Sequence, residues 1–366
     1  MKRERENNYD VLRILCTFAV IIVHVSSIYI NAITDAGIYG KPYLDNMLMN
    51  ITVYTMPRFT VPCFIMMSGA FALADKKTGD YRPYYRKFFK TIFIQTMVFS
   101  LFYCIYNYSL ELGNIINGTG MTEILAPVKD WIKWYPFYHM LYMYMMLGVY
   151  MLAPIVYRFK EDIGDKYFER IAWVFISLAS ISEWTSTKMF NWDIGYSFGY
   201  LGYFMIGYVI RRRTLEKKNN IKGVLMTVAG VLVLSVVVYQ RYQQSLQGLT
   251  DWDVVRNITD PYYPLITIGS VLMFAGFSYM RLNVNLGWIS RYTFEIYLVH
   301  AGVWGILYRV ITAIFGAPLD SKVVIWLGTF AVFMISLVLS MGYQKLWKAF
   351  ESKTHFTDRL CKLLRI

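Results

Sequence analysis

Arg13 and His24 lie eleven residues apart in the run Asn-Asn-Tyr-Asp-Val-Leu-Arg-Ile-Leu-Cys-Thr-Phe-Ala-Val-Ile-Ile-Val-His, residues 7–24, which is almost wholly apolar after its first turn. Eleven residues make about three helical turns, so both side chains share a face, about 16 Å apart along the axis. A guanidinium is a permanent cation suited to binding phosphate or carboxylate, and an imidazole titrating near pH 6.5 can take a proton from a hydroxyl. Asp10, three residues before Arg13, can pair with it. The plainer reading is an arginine that snorkels to lipid headgroups and a histidine satisfied by a neighbouring helix.

Other polar groups also fall in apolar surroundings. A charged side chain at the bilayer centre costs about 2.5–3.5 kcal/mol on insertion scales, so each is a functional candidate. His139 sits near the outer end of the fourth expected span and His300 about fourteen residues into the ninth, which puts both, with His24, in the expected outer half. Glu295 lies about one turn below His300, and Arg58 near the outer end of the second span. These are expected to bind acceptor, stabilise an oxyanion or orient His24, with helix packing as the alternative for each. Phe-Ile-Met-Met-Ser-Gly, residues 64–69, reads on its own as small-residue helix packing around Ser68 and Gly69. His355, in a basic tail, is expected to be solvated. Trp131, Trp134, Tyr135 and Tyr138 read as interfacial anchors. Cys16, Cys63, Cys104 and Cys361 are scattered with no CxxC spacing, so neither disulfide nor metal is implied.

The elements that must position these groups are membrane helices. The 366 residues are 56% hydrophobic and only 17% charged, below the roughly 25% of soluble chains. Residues 14–33, 91–112, 223–239, 261–279 and 323–343 each suffice to cross a hydrocarbon core of about 30 Å. Residues 51–74, 137–156 and 286–307 are apolar but interrupted, and 171–183 and 197–210 are short. About ten transmembrane helices result, an all-α polytopic integral membrane bundle.

Charge sets the expected orientation. Of the 37 Lys and Arg residues, 27 fall in segments 1–8, 75–90, 157–170, 211–222, 281–291 and 345–366, and eight in the alternate loops, with Arg13 and Arg58 inside spans. Cytosolic loops retain positive charge, so both termini are expected inside, and the net charge of +13 reads as topology rather than as a nucleic-acid surface. Residues 1–366 read as one transmembrane domain, with a basic N-terminus 1–8, a basic tail 345–366, no cleaved signal peptide and no appended soluble module.

Four segments, in order, resemble the acyltransferase 3 family of membrane-bound acyltransferases. Asp10-Val-Leu-Arg13 followed after ten residues by His24 is similar to the family's first-helix signature. Arg58-Phe-Thr-Val-Pro62-Cys-Phe-Ile-Met-Met-Ser68-Gly69 resembles its second-helix pattern. Tyr138-His139 through Gly148-Val-Tyr-Met-Leu-Ala-Pro154, and Ser290 through Phe294-Glu-Ile-Tyr-Leu-Val-His300, resemble two further elements. Leu141 stands where the pattern usually has tryptophan, and Glu295 where it often has glycine.

The resemblance implies transfer of an acyl group, acetyl being the expected one, from cytosolic acyl-CoA to a hydroxyl of a surface glycan, lipid or small molecule in the cell membrane. Arg13 and the basic inner loops would hold the donor phosphates, with His24 as general base or as a covalent acyl-histidine relay. A transporter for a small molecule such as an amino acid, or a receptor on the same scaffold, is the competing reading.

Overall fold

Phe-, Ile- and Val-rich runs of the required length fold as helices throughout, and no strand occurs among the described residues. The computed structural model describes residues 6–34, 46–116, 137–185, 194–246, 258–316 and 320–363. Trp131, Trp134 and Tyr135, expected as interfacial anchors, lie outside them.

The chain begins with α1 (Asn7–Thr34), then α2 (Met47–Thr55) and α3 (Thr60–Ala72), which are joined by a 3-10 turn at Met56–Phe59. Pro57 is the second residue of that turn and Pro62 lies in the first turn of α3, where a missing N–H costs no helical bond. α4 (Tyr81–Phe88) runs through a π-turn at Phe89–Phe93 into α5 (Ile94–Ile116). α6 (Met140–Ile163), α7 (Asp165–Thr185), α8 (Ile194–Thr214), α9 (Asn220–Leu246) and α10 (Pro264–Tyr279) follow. The chain ends with α11 (Gly287–Ser290), α12 (Thr293–Phe315), α13 (Ser321–Thr354) and α14 (Phe356–Leu363).

Six of these segments are long and apolar enough to cross a membrane: Asn7–Ile30, Tyr81–Ser109, Met140–Ile163, Asn220–Leu246, Thr293–Phe315 and Ser321–Thr354. Pro264–Tyr279 is apolar but only 16 residues long. The two short apolar stretches, 171–183 and 197–210, belong to helices of 21 residues each, because charged turns extend them. Arg212 pairs with Asp165, Arg213 with Glu169, and the Tyr208 hydroxyl donates to Asp165 at 3.0 Å. Those charges cross-link α7 to α8 while removing both ends from any hydropathy window.

The chain forms two compact units, residues 1–75 with 159–338, and 76–158 with 339–366. In the first, helices approach through glycines. A Cβ on Gly69 of α3 would fall on the Phe204 carbonyl of α8, and one on Gly207 would fall on the Met66 carbonyl. α9 and α10 meet at Gly230 and Gly269, where an added Cβ at Gly230 would lie 3.0 Å from the Gly269 carbonyl oxygen. Such close backbone contact is how helices pack tightly where lipid supplies no hydrophobic drive. In the second unit, the Tyr84 and Tyr85 hydroxyls donate to the Tyr150 and Met151 carbonyls of α6 at 3.0 and 2.8 Å.

Candidate active site

Every polar side chain that opens α1 has a tertiary partner. Asn8 Nδ2 donates to the Phe277 carbonyl at 2.8 Å, and the Tyr9 hydroxyl meets Ser278 Oγ at 3.0 Å, which fastens α1 to the last turn of α10. Asp10, 2% exposed, accepts a 2.6 Å hydrogen bond from Ser290 Oγ at the end of α11. The same carboxylate oxygen lies 3.5 Å from Arg13 Nη1, the pairing expected from their spacing. The Arg13 side chain keeps about a third of its surface exposed, and its guanidinium lies over the Phe71 ring at 5.1 Å. Arg211, itself paired with Glu6, lies over the same ring at 5.1 Å. Phe71 thus sits between two cations at this end of the unit. Burial pulls the neighbouring Lys218 ammonium below the usual lysine range, Glu6 partly opposing it.

His24 lies seventeen residues beyond the start of α1, about 25 Å along its axis. Its ring meets that of His300, with centroids 5.2 Å apart and planes inclined by 35°. His300 is fully buried, and its Nδ1 lies 2.6 Å from the Tyr297 carbonyl oxygen. A carbonyl only accepts, so Nδ1 carries the proton and the lone pair is on Nε2. The sequence spacing placed His300 about fourteen residues into a span beginning at 286. The turn at Arg291–Tyr292 instead separates α11 from α12, and His300 lies seven residues into α12, in its first third. Ring contact joins it to His24.

Arg58 also reaches this neighbourhood. It stands in the 3-10 turn with its guanidinium 4.2 Å from the centroid of the Tyr54 ring, within electrostatic range of the His24 imidazole. The Ser68 hydroxyl donates back to the Phe64 carbonyl at 2.9 Å, one turn earlier. Gly69, next to it, packs against the Phe204 backbone of α8. Glu295 is half-buried in the first turn of α12, five residues before His300. Five residues at about 100° each leave the two side chains about 140° apart around the helix. His139 belongs to the second unit, just before α6, where it is buried edge-on to Tyr103 at 4.9 Å.

Sequence reasoning missed Arg241. The polar run Gln240-Arg241-Tyr242-Gln243-Gln244 reads as the start of a loop, yet α9 continues to Leu246 and Arg241 is only 1% exposed. The signal available was an arginine flanked by residues that all suit helix.

The second unit carries a basic cavity of about 490 Å³ lined by Arg82, Pro83, Arg86, Lys87, Lys90 and Thr91. Asp358 of α14 reaches two of these cations, Arg86 at 2.6 Å and Lys90 at 2.5 Å, and they hold its carboxyl down at about 2. Arg82 and Lys87 are exposed and make no ion pair with a described residue. Among the described residues no cluster of His, Cys, Asp and Glu could hold a metal ion.

The model of an acyltransferase domain family, the family resembled by the Arg13–His24 and Arg58–Gly69 segments, matches residues 6–343. No curated protein and no solved structure matches the chain significantly.

Proposed function

Since the chain belongs to this family of membrane acyltransferases, we propose that it moves an acyl group from acyl-CoA to a hydroxyl acceptor at the cell surface, with His24 as general base. The observation that carries this reading is the contact between His24 and His300 on the helix face that also bears Arg13. One imidazole takes the hydroxyl proton as the oxygen attacks the thioester carbonyl. The tetrahedral intermediate then expels the CoA thiolate, which takes that proton from the imidazolium, so the products are an ester and CoA-SH. General base catalysis of this kind contributes about 10²–10⁴-fold to rate. His300, fixed by Tyr297, gives His24 a neighbour of defined orientation.

The donor is proposed from charge. Coenzyme A carries several phosphate groups, and guanidinium and ammonium groups bind them through charge-assisted hydrogen bonds. Arg13 supplies one such cation, partly exposed at the start of α1. The expected setting is the cell membrane, with cytosolic donor and an acceptor among surface glycans or lipids. An acyl-histidine relay remains open to the same residues. Membership of an acyltransferase family supports transfer over the transport reading.

Incubating purified protein with radiolabelled acetyl-CoA and extracted envelope glycans tests the proposal. Label should reach the protein or the glycans with the wild type and with His355→Ala, and His24→Ala should lose it. Equal labelling by His24→Ala would overturn the general-base role.

A further inference from the structure

Arg241 is among the largest fully buried side chains of the first unit, and its Nε, Nη1 and Nη2 have no hydrogen-bond partner among the described residues. A guanidinium does not deprotonate in a protein, so this is a full charge removed from water. A buried charge persists only where something opposite offsets it. Tyr54 lies within electrostatic range of Arg241, and its ring carries the Arg58 guanidinium 4.2 Å from its centroid. Arg58 Nε is likewise buried with no partner among the described residues, and so is Gln244 Oε1, one turn beyond Arg241. Two cations with unused donors thus lie near one tyrosine, and Arg58 is also within electrostatic range of His24.

We infer that Arg241 and Arg58 hold an acid group, carboxylate or phosphate, on the acceptor whose hydroxyl is presented to His24. An oxyanion takes two parallel N–H donors from a guanidinium, which satisfies Arg241 and orients the molecule it belongs to. The acceptor is then a sugar acid or a phosphate-bearing glycan or lipid rather than a neutral alcohol. Arg241 fixes the far end of that acceptor and is a positioning and specificity residue. The inference rests on the acyl-transfer reading for the word acceptor; the anion site itself does not.

Two measurements on the purified full chain separate these. In the first, the thermal unfolding midpoint is followed with glucuronate, glycerol 1-phosphate and neutral glucose as probes, without any donor. Wild type should be stabilised by one or both anions and not by glucose, and the anion that acts tells carboxylate from phosphate. Arg241→Met should bind that anion about tenfold or more weakly. In anion-free buffer its midpoint should equal or exceed that of wild type, since an uncompensated charge has been removed. Arg309→Gln, at an exposed arginine of α12, should behave as wild type. A lower midpoint for Arg241→Met together with no anion response in wild type would mean that the arginine is paired within the chain, and would overturn the inference. In the second, labelled acetyl-CoA is supplied with the anionic or the neutral sugar. Anion binding without any acylation would sink the acyl-transfer reading and leave the site standing. Equal acylation of glucose and glucuronate, unchanged in Arg241→Met, would sink the site and leave acyl transfer standing.

Discussion

A histidine acts as a base only through a nitrogen that lacks a proton, and in this protein the backbone fixes which nitrogen that is. Tyr297 O accepts from His300 Nδ1, so the lone pair of His300 is on Nε2, and the ring stacks near that of His24. Replacing His300 by Phe keeps a ring in the pocket and removes both nitrogens. Acyl transfer should then fall by about 10²-fold or more if the imidazole shares the proton, with the thermal midpoint little changed. Steady-state transfer rates for His300→Phe and His24→Ala decide this; a full-rate His300→Phe would reduce His300 to packing. Arg13 and Asp10 act at the other end of the same helix. Ser290 and Arg13 divide the Asp10 carboxylate between them, so Asp10 ties α1 to α11 as much as it holds the arginine.

At the scale of elements, the path of α3 and α8 depends on where backbones touch. A Cβ at Gly69 would fall on the Phe204 carbonyl, and one at Gly207 on the Met66 carbonyl, a reciprocal contact that fixes α3 against α8. Gly69→Leu should therefore destabilise the protein by about 1–3 kcal/mol or more, because neither backbone can move aside alone. Gly148→Ala, where an added Cβ meets nothing within 4 Å, should be neutral or slightly stabilising as a helix interior loses glycine. Thermal midpoints of the two variants give the comparison, and similar losses in both would remove the close-contact argument. The same principle explains the α2–α3 break. Pro57 and Pro62 interrupt a long apolar stretch, and the 3-10 turn that contains Pro57 carries Arg58 over Tyr54.

At the scale of the whole chain, segments distant in sequence close each unit. In the second unit, Asp358 near the C-terminus reaches Arg86 and Lys90 across 272 and 268 residues. Its carboxyl is held at about 2, below its ordinary 3.8, by the hydrogen bonds from Lys90 and then Arg86. A depressed folded-state value means that the stabilisation is present above about pH 4 and is lost as the pH falls through about 2. Wild type should therefore exceed Asp358→Asn in thermal midpoint at pH 6, and the gap should narrow steadily on acidification from pH 4 to about pH 2. A gap unchanged across that range would show that the ion pairs contribute nothing.

The sequence by itself determined the membrane class, most apolar helices, the Arg13–Asp10 pair and the common face of Arg13 and His24, because these follow from hydropathy and from a 3.6-residue period acting within one segment. The family could be read from the same segments. Only the tertiary structure decided that His300 is the ring against His24, that Gly69 meets the Phe204 backbone of α8, and that α7 and α8 extend past their apolar cores on salt-bridged turns. It also turned Arg241 from a loop residue into a buried cation. Each of these depends on which surfaces meet across hundreds of residues of chain, and periodicity within a segment carries no record of what lies opposite its face.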